Sequence, residues 1–422
     1  MEKEAIVNAP IILFMGTFPP RECGIATFTK DLTDAVDKRF SPIIETKILA
    51  INDNENIYNY STKIMFQIVD NDMADYIEKA KKINNTPEIK FVSIQHEFGL
   101  FGGEFGDNLL AFLELLEKPT VVTFHSVVPN PDERMIKVVR EIADRVQGIV
   151  VMTKSGIKLL RKKYNVSTPI YLIPHGIPST SFEPQLKEKT VLGYQDKIIL
   201  SSFGLMSRNK GYEHVIDALP EVVNQFPNLL YLIIGETHPR VREEEGEAYR
   251  TWLKERAKKR GVQENVKFYN KYITQDEIIQ YLKASNIYIS PSLTKGQITS
   301  GTLVNAMGVG RAVVSTKFLH ARDIINYKRG RLVNFKKPEE FSSAIIELLS
   351  DKEKLKEIEK NAYQYTRQMT WKNVAIEYGK LFNKIINIPK TYLEKLPERE
   401  PMPTIANPMQ KISAPIQITQ NI

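Results

Sequence analysis

Short runs of consecutive apolar residues alternate along the first half of the chain with longer stretches whose apolar positions recur every three or four residues. APIILFMG, FSPIIETKILAI, IKFVSIQH, PTVVTFHS, GIVVMT and IYLIPHGI read as strands. IATFTKDLTDAV, NDMADYIEKAKKIN, DNLLAFLELLEK, ERMIKVVREIADRV and KSGIKLLRKKY read as helices between them. Strands alternating with helices of this length imply parallel pairing through right-handed crossovers. The strands are apolar throughout, as expected when helices cover both faces of a sheet.

After a connector with weak periodicity, PSTSFEPQLKEKTVLGYQ, the alternation restarts. KIILSSFG, NLLYLIIGE, NVKFYNK, NIYISPS and RAVVSTK read as strands. GYEHVIDALPEVVNQF, one helix from about Glu244 to Arg260, DEIIQYLKAS and SGTLVNAMGVG read as helices between them. Three more helical stretches run from Pro338 to Ile386. Beyond Pro389 the chain is rich in proline without periodicity, and an extended or disordered tail is expected over 389–422. The fold class is therefore α/β, with two Rossmann-like doubly wound units.

A length of 422 residues agrees with two cores rather than one. The single cysteine, Cys23, excludes an internal disulfide framework and fits a reducing, cytoplasmic compartment. The first residues, MEKEAIVNAP, do not read as a signal peptide. No apolar stretch approaches the roughly 20 residues that span a bilayer. The net charge of +8 favours phosphate-bearing ligands or peripheral contact with an anionic membrane surface, such as the inner membrane face. No Arg-Gly run, zinc-finger spacing or RNP-like aromatic motif is present, so nucleic acid is not an expected partner.

Ligands of open α/β sheets bind beyond the carboxyl ends of the strands, so the loops there carry the candidate chemistry. The loop 16–24 ends in Gly24, which opens a helix whose N-terminus favours anions. QHEFGLFGGE crowds His96, Glu97, Gly102 and Gly103 after a strand. His125 ends VVTF and should face a cleft. GLMSRNKG, 204–211, offers Gly204 and two cations, Arg208 and Lys210, suited to a diphosphate. QITSGTLVN, 297–305, offers the amides of Gln297 and Asn305, with Ser300, Gly301 and Thr302 at a helix N-terminus that suits a phosphate. Asp70-Asn71-Asp72 precedes a helix and reads as its cap rather than a metal site. No histidine–cysteine cluster has metal-ligand spacing.

In this order the Pro-Pro loop with Gly24, TFHS, VVMTKSG, IPHGIP, LSSFGLMSRNKG, LLYLIIGE, VKFYNKY and SPSLTKGQITSGTLVNAMGVGRAVVST resemble retaining glycosyltransferases of family 4, over roughly 11–386. That family has the GT-B fold. The resemblance implies an N-terminal acceptor-side domain over 1–180 and a nucleotide-sugar donor domain over 190–370. A helix over 371–388 would cross back to the first domain. IPHGIP stands where the family has a Pro-Asn-Gly turn. Gln297 and Asn305 stand where it has paired glutamates, as in a branch with amides there, and Leu205 replaces its arginine. The implied reaction moves a sugar from a nucleoside-diphosphate donor, with GDP-mannose favoured over a UDP-sugar. The acceptor would be a glycan, a glycolipid or a small molecule, and the anomeric configuration would be retained without a metal cofactor. His125, Lys210, Arg208 and Gln297 would be catalytic. Gly24, Gly204, Ser300, Gly301, Thr302 and Asn305 would bind donor, and His96, Glu97, Gly102 and Gly103 would face the acceptor. A non-catalytic nucleotide-sugar binder and a GT-B epimerase stay open as alternatives.

Overall fold

A computed structural model describes residues 9–53 and 58–386. The first unit builds β1 (Ile11–Gly16), α1 (Gly24–Phe40), β2 (Glu45–Asn52), β3 (Ile64–Val69), α2 (Met73–Asn84), β4 (Ile89–His96), α3 (Asn108–Leu115), β5 (Thr120–Phe124), α4 (Glu133–Asp144), β6 (Gly148–Val151), α5 (Lys154–Lys163) and β7 (Ile170–Leu172). The strands form one seven-stranded parallel sheet, ordered β3-β2-β1-β4-β5-β6-β7. Every residue of β1 and β5 is buried, because helices cover both faces. Helix starts follow local chemistry. Asp72 Oδ1 accepts from the Ala74 and Asp75 amides, so the Asp-Asn-Asp stretch does end in the expected cap. Asp132 caps α4 and Thr153 caps α5 in the same way.

The second unit builds α6 (Leu186–Val191), β8 (Ile198–Phe203), α7 (Tyr212–Gln225), β9 (Leu229–Ile234), α8 (Pro239–Glu245), α9 (Ala248–Lys259), β10 (Val266–Tyr269), α10 (Gln275–Ala284), β11 (Ile287–Ser290), α11 (Gly301–Gly308), β12 (Ala312–Thr316), α12 (Leu319–Ile324), β13 (Gly330–Val333), α13 (Pro338–Ser350) and α14 (Lys352–Thr366). Its six strands are also parallel, ordered β10-β9-β8-β11-β12-β13. In both sheets the strand order reverses beside the first strand, which opens a crevice at that point.

The last helix, α15 (Trp371–Ile386), returns to the first unit. Tyr378 Oη lies 3.0 Å from Thr123 Oγ1, Phe382 packs on Phe14 and Phe91, and Gly379 sits against Phe40. The crossover is pinned where Ile177 and Thr370 form a parallel bridge (Ile177 N to Met369 O 2.8 Å, Trp371 N to Ile177 O 2.9 Å).

Four expectations need correction. The structure adds two strands to those expected, β3 and β13; both are sheet edges, and neither carries a fully buried apolar run. The helix expected over 244–260 is two helices, because Gly246 takes a left-handed backbone and closes α8. The strand expected through IYLIPHGI stops at Leu172, and residues 173–176 run without regular structure to the bridge at Ile177. The connector contains α6. The tail expected over 389–422 lies outside the described residues.

Candidate active site

The carboxyl ends of the two sheets face one cavity of about 430 Å³, with walls from both units. The first unit contributes Gly24, Glu97 and His125, and the second contributes Gly204, Lys210, Gln297, Ser300, Gly301, Thr302 and Asn305. Ten of the expected site residues thus meet in one place.

Lys210 ends a 3₁₀ turn, Arg208–Lys210, that follows β8. Its Nζ lies where a Cβ on Gly204 would approach to 3.2 Å, so the glycine leaves the space the ammonium occupies. No carboxylate pairs with it among the described residues, and burial lowers its pKa. At the tip of α11, Ser300 Oγ accepts from the Leu303 amide, and the Ser300 amide donates to His320 Nδ1 at 2.8 Å. Among the described residues no acceptor takes the amides of Gly301 and Thr302. An ammonium and two unfilled helix-terminal N–H groups thus share the cavity, a combination that suits an anion. Ser300 itself acts by capping, since its own amide is already spent.

On the opposite wall, His125 is 6% exposed and its Nε2 lies 3.0 Å from Gln95 Oε1. A carbonyl oxygen only accepts, so Nε2 carries the proton and Nδ1 is left with a lone pair. Burial pushes the His125 pKa down to about 3, which keeps the ring neutral. Glu97 Oε2 accepts from Ser126 Oγ at 2.6 Å, and burial raises its carboxyl pKa. Asp31, on the cavity face of α1, is raised to about 6 by burial first, then by repulsion from Asp34 and Asp276.

Four expected residues do not reach the cavity. Arg208 lies on the surface, with Nη2 3.0 Å from Glu245 Oε2 and its guanidinium over the Tyr249 ring. A 3₁₀ turn rotates about 120° per residue, so a cation two positions before Lys210 points elsewhere. His96 is fully buried among Phe98, Phe101 and Phe124, with neither ring nitrogen partnered and its pKa pushed to about 3 by burial. Neighbours on a strand face opposite ways, so the Gln95 that supports His125 sends His96 into the core. Gly102 and Gly103 adopt φ +64° and +62° in a turn where a Cβ would strike Asp70 O and Asp107 Oδ1. Their role is backbone geometry. Gln297 does line the cavity, but its amide is closed on its own loop: Oε1 accepts from Ser292 Oγ and Nε2 donates to Thr299 O.

His175, Phe28, Asp31 and Trp371 line the same cavity and are not among the expected site residues. His175 Nδ1 donates to Gly176 O at 2.7 Å, which leaves Nε2 as an acceptor facing Gly301. For His175 the signal was its place in IPHGIP, where the resembled family has a Pro-Asn-Gly turn. Phe28 and Trp371 carried none, being apolar positions on helices.

Residues 184–365 match the family model described as glycosyl transferases group 1. No curated protein matches the chain. Among solved structures, sucrose-phosphate synthase from Thermosynechococcus elongatus superposes with a TM-score of 0.73 at 16% identity, over 90% of this chain and all of the other. HepE from Anabaena, solved with UDP, gives 0.69 at 16%, over 89% of this chain and 100% of that one. A glycosyltransferase from Rickettsia africae gives 0.69 at 14%, over 90% and 99%. At these identities the likeness is one of fold, the two-unit GT-B arrangement. No described helix is long and apolar enough to cross a membrane.

Proposed function

We propose that the chain is a glycosyltransferase that binds a nucleoside-diphosphate sugar across the cavity and passes the sugar to an acceptor held by the first unit. The observation that carries this reading is the meeting of Lys210 with the two unfilled amides of Gly301 and Thr302 opposite a neutral His125. The group 1 match over the second unit and the UDP bound by HepE support it.

In this reading the diphosphate lies against Lys210 and the α11 tip, which stabilise the charge that grows on the leaving group. Their positive charge supplies what a metal would otherwise supply. Asn305 Oδ1, buried in the cavity wall without a partner, accepts from a ribose hydroxyl. His125 borders the sugar and presents Nδ1 to a hydroxyl. Gly24, at the start of α1, lets the backbone approach the donor. Glu97 faces the acceptor, a sugar or glycolipid hydroxyl. Transfer retains the anomeric configuration, with a donor phosphate oxygen taking the acceptor proton. GDP-mannose leads the donor panel on the sequence resemblance alone, and peripheral contact with an anionic membrane would bring a lipid-linked acceptor within reach.

Binding without transfer is favoured by one observation, the Gln297 amide closed on its own loop. Calorimetry with UDP-, GDP- and ADP-sugars, followed by product analysis with and without acceptors, separates the readings. A new glycoside formed only with acceptor supports transfer, and NMR of its anomeric carbon reads the stereochemistry. Binding without product supports the second reading. Absence of binding to every nucleotide refutes both.

A further inference from the structure

We infer that α12 couples the two units, and that Asp323 is a positioning residue that assembles the donor loop only when the units are together. The inference rests on the donor site proposed above.

The first turn of α5 belongs to the first unit. Thr153 Oγ1 satisfies the Gly156 amide there, but the Ser155 amide has no acceptor within its own helix. The carboxylate of Asp323, from the second unit, fills that place. One oxygen accepts from the Ser155 amide and the other from Ser155 Oγ, each at 2.8 Å. A negative charge at a helix N-terminus is favourable, and both bonds are charge-assisted. The helix is thus capped by a residue 168 positions away in the chain.

The same short helix grips the donor loop with its other end. His320 Nδ1 accepts from the Ser300 amide at 2.8 Å, the His320 amide donates to Gln297 O at 3.0 Å, and the Leu319 amide donates to Lys295 O at 3.2 Å. The loop itself leans on the first unit. Ile298 is 2% exposed within the first unit's core, and Gly296 is so close to Pro129 that a Cβ would come within 2.5 Å of Cδ. The loop therefore belongs to the second unit by sequence and to the first by packing. If the units part, Ile298 and Asp323 lose their partners together, and α12 no longer fixes Ser300 and the free amides beside it. Neither Ser155 nor Asp323 lines the cavity, so both act through the loop.

The test uses the full chain and the variants Asp323→Ala, Asp323→Glu, Ser155→Ala and the Ser155→Ala/Asp323→Ala pair. UDP and GDP binding is measured by calorimetry, and the radius of gyration by small-angle scattering. Asp323→Ala should weaken nucleotide binding about tenfold and enlarge the nucleotide-free chain. The double variant should be no worse than Asp323→Ala, and Asp323→Glu should recover part of the affinity. Wild-type affinity and dimensions in Asp323→Ala would overturn the inference, as would a loss of melting temperature with affinity intact. If the wild type binds neither nucleotide, the proposed function fails, while the scattering comparison of wild type with Asp323→Ala still decides whether Asp323 holds the units together.

Discussion

Replacing Lys210 by alanine separates the proposed site from a merely structural one, because activity and stability should move in opposite directions. The ammonium sits beside Gly204 without a carboxylate partner among the described residues, and burial disfavours its charge. One unit charge about 4 Å from a phosphate oxygen, at an effective dielectric near 20, contributes about 4 kcal/mol. The amides of Gly301 and Thr302 remain in the variant and offset part of the loss. Removing one charge-stabilising group commonly costs about 10²–10³-fold in rate. The kcat/KM of Lys210→Ala should therefore fall at least about a hundredfold, in keeping with that range. The melting temperature of the ligand-free protein should hold or rise, since an unpaired and partly desolvated cation has been removed. The lowered pKa also means that wild-type donor binding should weaken on the alkaline side at lower pH than an exposed lysine would dictate. The assays are donor turnover, calorimetry with UDP and GDP, and thermal unfolding without ligand. Turnover within threefold of the wild type would refute the phosphate role. A large drop in melting temperature matching the lost activity would refute the reasoning about charge.

Acid should unfold the protein early. His96, His125 and His320 are pushed down to about 3 and His175 to about 4, all by burial first. In the unfolded chain they protonate near pH 6.5, so stability is fully present above that value and is lost as pH falls towards the folded values. At pH 5 each contributes about 2 kcal/mol of destabilisation, and equal urea midpoints at pH 7.5 and 5 would contradict this. Gly379→Ala places a methyl 2.4 Å from the Phe40 ring beneath α15. Overpacking of that kind costs about 1–3 kcal/mol, and an unchanged melting temperature would show that the crossing helix does not pack there.

Much of this architecture was legible because it is local. Short apolar runs, most of them buried on both faces, announced all of the strands but β3 and β13, and Asp72 announced its cap. The Gly-rich and cationic loops at strand ends drew attention to Lys210, Gly301, Asn305 and His125, which the fold does bring together. Of the four sheet edges, β7 and β10 were read from short apolar runs, whereas β3 and β13 were not legible, since Gln67 interrupts the one and Gly330-Arg331 opens the other. His96 and His125 both sit at strand ends. Only the pleat and the neighbouring phenylalanines decided that one enters the core while the other meets the cavity. Lys210 and Arg208 share one turn, and its rotation assigned one to the cavity and the other to Glu245.

The order of elements, the parallel class and the chemistry available at each strand end follow from the sequence alone, through periodicity and residue type. Which groups remain free does not, because that depends on partners distant in the chain: His320 consumes the Ser300 amide, the Gln297 loop closes on itself, and Asp323 caps a helix of the other unit. Every buried donor and acceptor needs a partner, and only the folded chain decides which one it finds.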